Sequence, residues 1–263
     1  PYKILIYVCY LILFVLVVPT NVQAQGAIED SKELTWDVGL ELASFRDDLI
    51  VPLGFHGPGI ILGSKYRQNL NNWQFEFPLT FKFEYVQNRF SHPGINFNLD
   101  LKPIVLRSVP AGGDLGRLQA GLAFPFKINN NFPFSWDDAH LYWFTIRGVS
   151  LALRWTNENL TIGPLSLYME LPFLSQVSRP PAHRLEKQDE GLVWLSFKST
   201  EAKRKYKTAT FSAYQGFLIR GEYAGSKISS WSLQFEYDHY TLPRDVWNLS
   251  TSLHYARKLR SWK

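Results

Sequence analysis

The chain contains almost no sulfur: its 263 residues include one cysteine and one methionine. The cysteine, Cys9, lies in the apolar N-terminal stretch, so the remainder of the chain has no thiol and can form no disulfide. This excludes the class of small secreted domains that disulfides hold together. Attachment of a lipid at Cys9 is also not expected, because Tyr7-Val8 precede it and it does not sit at a cleavage junction.

The chain also lacks a strong excess of charge of either sign. It has 28 basic and 23 acidic residues, for a formal net charge of +5. This balance is too mild to indicate nucleic-acid binding, so no nucleic-acid partner is expected. His56 and His183 have no other metal-binding residue types at ligand spacing around them, so neither a metal nor a cofactor is expected.

The only long apolar run is at the N-terminus. Lys3 precedes an apolar stretch over 4–18, and Val22-Gln23-Ala24 supplies the small residues that a signal peptidase reads. This pattern predicts a signal peptide over 1–24, followed by a single β-barrel domain over 25–263. The alternative is a membrane anchor, but the run is shorter than the ~20 residues of a membrane-spanning helix and has no basic flank on its far side.

Beyond this stretch the sequence lacks helical periodicity and alternates with period two instead. In the clearest segment, 73–85, one face is apolar and the other is polar. The apolar face carries Trp73, Phe75, Phe77, Leu79, Phe81, Phe83 and Tyr85, and the polar face carries Gln74, Glu76, Thr80, Lys82 and Glu84. Such alternation is typical of β-strands with one apolar and one wet face, so the chain is predicted to be all-β.

Similar segments give a strand count of ten to twelve. Clear alternation occurs at 34–42, 95–101, 231–237 and 247–255, and weaker candidates lie at 118–126, 160–171, 192–199 and 209–223. Segment 48–68 is interpreted as a loop leading into one short strand, Asn129-Asn130-Asn131 as a connection, and Gly148 as a β-bulge within 140–155. This counts eleven strands, and twelve is favoured because bacterial barrels have an even number.

Alternation alone does not separate a transmembrane barrel from a soluble β-sandwich, because strands of both have one apolar face. Tryptophan and tyrosine near the strand ends favour an antiparallel transmembrane β-barrel, in which aromatic girdles mark the membrane interfaces. These residues are Trp36, Trp73, Tyr85, Tyr142, Trp155, Trp231, Trp247 and Tyr255. The soluble β-sandwich is kept as the alternative fold.

The signal peptide, the thiol-free mature chain and the aromatic-rich strands together resemble outer-membrane β-barrel proteins of Gram-negative bacteria, especially small barrels of the Bacteroidetes type. The resemblance spans 34–257 and is one of pattern, without a specific motif. It implies location in the bacterial outer membrane, contact with outer-membrane lipids and insertion by the barrel-assembly machinery. The chain departs from the family pattern at its end, Ser261-Trp262-Lys263, where the usual terminal aromatic is displaced.

In such a barrel the polar faces point inward and gather charges of both signs. The expected lumen charges are Glu76, Lys82, Glu84, Asp100, Lys102, Arg220, Glu222, Glu236 and Asp238. Barrels of ~8 strands are filled by side chains and open channels occur at ~16, so ten to twelve strands predict a largely filled, charge-lined lumen with a non-enzymatic transport or structural role. The competing interpretation is a narrow pathway for a small solute.

Two other classes of function stay open. A lipid hydrolase acting on acyl esters of phospholipid or lipid A needs a nucleophile beside a base, and the nearest candidate is Ser91-His92. Adjacent residues on a strand face opposite ways, and Ser-His-Pro-Gly is also an ordinary turn, so no catalytic residue is predicted. The third class is a binding or scaffold barrel that acts through its surface loops.

Overall fold

The computed structural model describes residues 30–48, 51–90, 92–109, 116–133, 142–161, 163–179, 206–226, 228–242 and 244–262. The predicted signal peptide and the strand predicted at 192–199 lie outside these ranges. Within them, no helix has the length and apolar character needed to cross a membrane.

Thirteen strand segments form one antiparallel sheet that closes on itself. The first segment pairs with both the second and the last, which removes the free edges of the sheet. The segments are β1 (Ser31–Asp47), β2 (Val51–Leu70), β3 (Trp73–Asn88), β4 (Pro93–Leu101), β5 (Ile104–Val109), β6 (Arg117–Ala123), β7 (Phe126–Pro133), β8 (Tyr142–Asn157), β9 (Leu165–Ser178), β10 (Lys207–Thr210), β11 (Tyr214–Tyr223), β12 (Ser229–Tyr240) and β13 (Val246–Trp262).

Three pairs of consecutive segments are interrupted halves of single barrel strands. β4 and β5 both pair with β3, β6 and β7 both pair with β8, and β10 and β11 both pair with β9. The ring therefore has ten strands, at the lower end of the expected range, and the prediction of an all-β antiparallel barrel is confirmed. The preference for twelve is wrong, because β9 pairs directly with β11 and the ring closes without 192–199.

Prolines explain two of the interruptions. Pro103 lies between β4 and β5, and Pro125 lies between β6 and β7. A proline has no N–H group for the ladder, and its carbonyl can still accept a hydrogen bond. Here the Phe124 N–H donates to the Pro103 carbonyl at 2.8 Å, and the Gly148 N–H donates to the Pro125 carbonyl at 3.0 Å. The sheet thus remains connected across both interruptions.

The prediction of a loop and one short strand at 48–68 is wrong, because most of this segment belongs to β2, a continuous strand of 20 residues. Its glycines serve close packing. A Cβ atom on Gly57 would lie 1.9 Å from the Tyr85 carbonyl oxygen, so only glycine allows β2 to approach β3 at this point. The predicted connection at Asn129-Asn130-Asn131 is also wrong, because these residues lie inside β7.

The bulge predicted at Gly148 is located differently in the structure. The register between β8 and β9 shifts at Val149/Ser150, where the extra residue belongs to β9. Along β8 itself the alternation continues: Phe144 and Ile146 are buried, and so are Ala152 and Arg154. The apparent change of phase in the sequence arises because β8 turns apolar residues inward near one end of the barrel.

Chain direction defines two ends of the barrel. The terminus end carries the start of β1, the end of β13 and the connections at 71–72, 110–116, 158–164 and 224–228. The opposite end, here called the loop end, carries the connections at 48–50, 89–92, 134–141, 179–206 and 241–245. The two longest connections, 134–141 and 179–206, are therefore both at the loop end.

The outer wall is apolar. Leu40 and Leu42 on β1 expose 69% and 70% of their surface, and exposed leucine, isoleucine and phenylalanine side chains continue along β2, β3, β9, β12 and β13. Aromatic residues mark its borders: Trp231 and Tyr255 contact each other near the terminus end, with ring centroids 5.1 Å apart, whereas Tyr85 and Trp247 lie toward the loop end. This distribution is that of a barrel surface facing lipid.

Candidate functional site: the lumen

The inner wall of the barrel is the site where charged side chains converge. The structure places all nine charges named from the sequence in the wall of the lumen, eight of them on strands and Lys102 in the interruption between β4 and β5. Further inward charges were not named from the sequence: Glu33, Asp37, Glu41, Lys65, Arg67, Lys127, Arg154 and Glu170.

On the terminus side, Glu76 is the centre of an arginine cluster. Its carboxylate receives two parallel hydrogen bonds from Arg154, both 2.8 Å long, and a third from Arg67 Nε at 2.6 Å. Gln74 Nε2 donates to Glu76 Oε1 at 2.7 Å, and Gln74 Oε1 accepts from Gln119 Nε2 at 2.9 Å. The paired geometry of Arg154 and Glu76 is the strongest form of carboxylate–guanidinium contact.

Near the middle and toward the loop end, lysines replace arginines. Lys82 Nζ lies 2.7 Å from Glu41 Oε1 and 3.3 Å from Glu236 Oε2. Lys127 Nζ lies 2.5 Å from Glu236 Oε1 and 2.9 Å from Asp238 Oδ2. Glu236 thus joins the two ammonium groups into one network.

Several of these contacts cross the lumen. Lys127 on β7 and Asp238 on β12 are separated by three other barrel strands along the shorter way round the ring. The same separation applies to Lys82 on β3 and Glu236 on β12, whereas two strands separate Arg154 on β8 from Glu76 on β3. Side chains that meet at hydrogen-bond distance across such separations obstruct the space between the walls.

Three further cations of the lumen, Lys102, Arg220 and Lys65, are held more loosely. Lys102 Nζ lies 3.1 Å from Glu170 and 3.6 Å from Asp100. Arg220 Nε donates to the amide oxygen of Gln234 at 2.8 Å and, among the described residues, has no carboxylate within ion-pair distance. Lys65 and Glu222 are 3.9 Å apart.

Apolar side chains fill the lumen near the loop end. One buried cluster joins Phe144, Ile146, Tyr214, Tyr240 and Val246 with small neighbours from β9 and β10. A second cluster consists of Phe45, Phe55 and Val86, with the two phenylalanine rings stacked at 5.0 Å. The first cluster contains Phe144 and Ile146, which explains why alternation in the sequence suggested a change of phase within β8.

Two small cavities lie among the lumen side chains. The terminus-side cavity has a volume of about 30 Å³, and its wall includes Lys65, Arg220 and His254. The loop-side cavity has a volume of about 50 Å³, and its wall includes Glu41, Glu84, Asn96, Asn98, Asp100, Asn129, Asn131, Glu236 and Asp238. Since one water needs ~10–15 Å³ of such space, each cavity has room for a few waters.

A serine, a histidine and an aspartate form a chain of hydrogen bonds inside the lumen. Ser252 Oγ lies 2.8 Å from His254 Nε2, and His254 Nδ1 lies 3.1 Å from Asp37 Oδ2. Gly39 lies opposite the imidazole, and a Cβ there would come within 3.1 Å of Nδ1. These are the residue types and the order of a hydrolytic triad, but Ser252 is only 1% exposed.

The histidines considered in the sequence are arranged differently. Ser91 and His183 lie outside the described ranges. The His92 backbone N–H donates to Asn88 Oδ1 at 3.1 Å, which makes this segment a hydrogen-bonded turn. His56 Nδ1 lies 2.7 Å from Ser44 Oγ on the exposed surface. In the part of the chain that is described, no group of three or more histidine, cysteine, aspartate or glutamate side chains has the arrangement of a metal site.

The residues that sequence analysis missed share one signal. Glu41, Glu170, Ser252 and His254 each occupy the wet face of an alternating strand. Extending the inward parity along every strand would have found them. Lys127 and Arg154 were not predicted as lumen charges. The alternation of polar and apolar residues is interrupted in β7, and it changes phase in the sequence of β8.

Comparisons with known proteins give weak likenesses. No protein-family model and no curated protein matches the chain. Among solved structures, Neisserial surface protein A is 10% identical, with 87% of this chain and 99% of that chain covered and a TM-score of 0.33. The translocator domain of autotransporter NalP from Neisseria meningitidis is 7% identical, with 97% of each chain covered and a TM-score of 0.36. An outer membrane channel from Pseudomonas putida F1 is 10% identical, with 92% and 100% covered and a TM-score of 0.36.

Likenesses of this size carry no argument, so the assignment rests on the molecule itself. A closed ring of antiparallel strands pairs the strands around the whole barrel, which removes the open sheet edges that a membrane does not tolerate. The outer wall is apolar and bordered by aromatic residues, and the inner wall is charged. The chain is a transmembrane β-barrel of the type found in the bacterial outer membrane.

Proposed function

We propose that this protein is a non-enzymatic outer-membrane barrel whose lumen is closed by ionic bridges, and that its role is structural rather than that of an open channel. The observation that carries the proposal is the pair of lysine bridges across the lumen. Lys82 and Lys127 connect β3 and β7 to the same carboxylate, Glu236 on β12.

Passage of a solute would require these bridges to separate. Removing one partner of a buried ion pair costs about 3–5 kcal/mol, because the remaining charge is left without compensation. The apolar clusters obstruct the lumen at the loop end, and the two cavities described among the lumen side chains have volumes of about 30 and 50 Å³. A largely filled lumen is therefore favoured over a continuous pathway for a small solute.

Planar-bilayer recording of the purified full chain tests this proposal. The wild-type protein is expected to show little conductance. Lys127→Ala removes one bridge and should raise conductance, whereas Lys207→Ala, an exposed lysine on β10, serves as the matched control and should leave it unchanged. Large and steady conductance in the wild-type protein would show that the lumen is an open pathway.

The Glu84→Ala and Lys102→Ala double variant widens the lumen in a different way. Both side chains are buried on the inner wall, so truncating them should also raise the small wild-type conductance. If neither this variant nor Lys127→Ala changes conductance, and both remain folded, the ionic network does not close the lumen.

The orientation that we propose follows from connection lengths. Bacterial barrels have short periplasmic turns and longer extracellular loops. We therefore expect the terminus end to face the periplasm and the loop end to face outward. Cleavage by protease added to intact cells should occur within 134–141 or 179–206 and not at the terminus-end connections.

The proposal includes export of the chain from the cytoplasm and its insertion into the outer membrane. The pattern over 1–24 supports a signal peptide, and the strand pattern, which resembles small barrels of the Bacteroidetes type, supports insertion by the barrel-assembly machinery. Depleting that machinery in an expressing cell should remove the folded, heat-modifiable form from the membrane. N-terminal sequencing of the membrane form should begin at Gln25.

Hydrolysis is a second candidate, and the Ser252, His254 and Asp37 chain of hydrogen bonds favours it. The serine faces the lumen, so membrane acyl chains on the outer wall cannot reach it. Any substrate would have to be a small water-borne ester. Incubation with a fluorophosphonate probe should leave Ser252 unlabelled if the barrel is structural; labelling that Ser252→Ala abolishes would establish the hydrolase instead.

A further inference from the structure

Three cations share the outer wall at the terminus end of the barrel, where β1 pairs with β13. Lys32 is on β1, and Arg257 and Arg260 are on β13. In the ladder, Arg260 lies opposite Leu34 and Arg257 lies opposite Trp36. Lys32 and the two residues opposite the arginines occupy even-numbered positions of β1, the face that also carries the exposed leucines of the outer wall. The three cations, here called the seam patch, therefore face outward.

A β-bulge brings both arginines of the seam patch to the same face. Residues three apart on a regular strand point to opposite sides of the sheet. The register between β1 and β13 shifts at Leu259, which is one extra residue of β13. Arg260 thus faces outward beside Arg257, whereas Lys258 faces inward and donates to Glu33. Bulges are common at barrel rims, where they redirect side chains in this way.

Aromatic rings surround the seam patch. The guanidinium carbon of Arg260 lies 5.2 Å from the centre of the Trp262 ring, and the Trp262 ring centre lies 6.4 Å from that of Tyr66 on β2. Trp36 and Tyr255, with ring centres 6.5 Å apart, lie nearer the middle of the barrel wall. Tryptophan and tyrosine rings of membrane proteins sit at the level of the lipid headgroups. The seam patch is therefore at headgroup level.

Within the described ranges, no carboxylate lies at ion-pair distance from the three cations of the seam patch. The nearest acidic residue along β1, Glu33, faces inward, where Lys258 and Arg67 bind it. The opposite end of β1 differs, because Arg46 there lies 2.6 Å from Asp48. The seam patch thus presents positive charge to one membrane surface without an internal anion to balance it.

We propose that the seam patch binds the phosphate of an anionic phospholipid in the leaflet at the terminus end of the barrel. Guanidinium groups bind phosphate oxygens through paired, charge-assisted hydrogen bonds. Leu259, between the two arginines, exposes 60% of its surface and offers an apolar contact for acyl chains, which free phosphate would not use. A headgroup with net negative charge is preferred over a zwitterionic one because three cations face it. The site is independent of whether the lumen conducts a solute.

Native mass spectrometry of the full chain, folded in a non-ionic detergent, tests this site with phosphatidylglycerol and phosphatidylcholine of identical acyl chains as probes. The wild-type protein is expected to bind phosphatidylglycerol about tenfold more tightly. Arg257→Gln combined with Arg260→Gln should remove this preference, whereas lysine at both positions should retain most of it because the charge remains. Arg46→Gln combined with Arg117→Gln is the matched control. It removes the same charge from two arginines that already have carboxylate partners, so the preference should stay unchanged.

Four results would overturn the lipid site. Equal binding of the two lipids by the wild-type protein would show that the seam patch does not select an anionic headgroup. An unchanged preference in the glutamine variant would place the lipid elsewhere, and an equal loss in the control would reduce the effect to overall charge. Displacement of the lipid by inorganic phosphate would assign a free anion instead. If the glutamine variant does not fold, Lys32→Gln, which leaves β13 unaltered, should weaken the preference severalfold, and no change in that variant would overturn the site.

Discussion

The two halves of the lumen balance their buried charges in different ways. On the terminus side, Arg67 and Arg154 surround one carboxylate, Glu76, with short and partly parallel hydrogen bonds. On the loop side, lysines are shared among several carboxylates, and Glu84 accepts its hydrogen bonds from the neutral amides of Asn96 and Asn98. The first half is a clamp around one carboxylate, whereas the second is a network in which each of two lysines, Lys82 and Lys127, contacts two carboxylates.

This difference shows why a count of lumen charges does not by itself reveal a function. Guanidinium groups deliver several directed hydrogen bonds to a carboxylate, so the terminus side can satisfy its buried charges internally. An ammonium is a compact point charge, and sharing it leaves acceptor oxygens unfilled. Stability is therefore expected to depend more on the charged residues of the terminus half than on those of the loop half.

The largest expected effect comes from breaking the arginine clamp. Glu76→Ala leaves Arg67 and Arg154 buried without their carboxylate, which should lower the free energy of unfolding by about 3–5 kcal/mol. Urea unfolding of the barrel in lipid vesicles, followed by tryptophan fluorescence, measures this. Glu158→Gln is the control: Glu158 lies 3.9 Å from Arg117 on the surface, and its loss should cost no more than about 1 kcal/mol. Similar losses for both variants would show that the clamp contributes no more than a surface pair.

A smaller effect tests whether the inner and outer walls are correctly assigned. Leu40→Arg puts a charge on the exposed apolar wall, where a cation near the bilayer midplane costs about 2–4 kcal/mol. Leu242→Arg, in a connection at the loop end, should cost about 1 kcal/mol or less because it lies outside the apolar band. The same unfolding assay in vesicles applies. If Leu40→Arg is tolerated in lipid, the soluble sandwich becomes the better fold.

The smallest effect on stability is expected at Glu84. Whether the variant is more or less stable than the wild type tests the difference between the two halves of the lumen. Glu84→Gln removes a buried carboxylate whose hydrogen-bond donors are the neutral amides of Asn96 and Asn98, so it should change stability by about 1 kcal/mol or less and in the stabilising direction. The same unfolding assay in vesicles measures this change. A loss as large as that of Glu76→Ala would mean that a cation compensates the charge of Glu84.

The sequence predicted the wall of the barrel well because alternation reports directly on which face a residue occupies. β3 and β12 are clear examples, since their apolar and polar positions separate without exception over most of their length. Of the nine charges named from the sequence, Glu76, Lys82, Glu84, Glu236 and Asp238 come from these two strands, and all nine line the lumen.

Prediction failed where the residue type reflected a neighbour rather than the strand itself. The glycines of β2 resemble turn residues, but Gly57 is small because the Tyr85 backbone lies against it. Phe144 and Ile146 on β8 are apolar and yet face inward, because the lumen near the loop end is filled by other apolar residues. Partners across the lumen, such as Lys127 and Asp238, depend on the ring geometry, which no local pattern encodes.

The seam between β1 and β13 has a consequence for the time course of assembly. Glu33 and Lys258 meet across this seam, although they are 225 positions apart in the chain. Every other pairing in the ring joins strands that follow one another in the chain. The pairing of β1 with β13 therefore has the largest entropic cost of loop closure and should form last. Until it does, β1 and β13 both present unpaired backbone edges, the state in which a chain adds strands from other molecules. A nascent barrel is thus most vulnerable to aggregation just before completion, and a chain truncated within β13 would remain in that state.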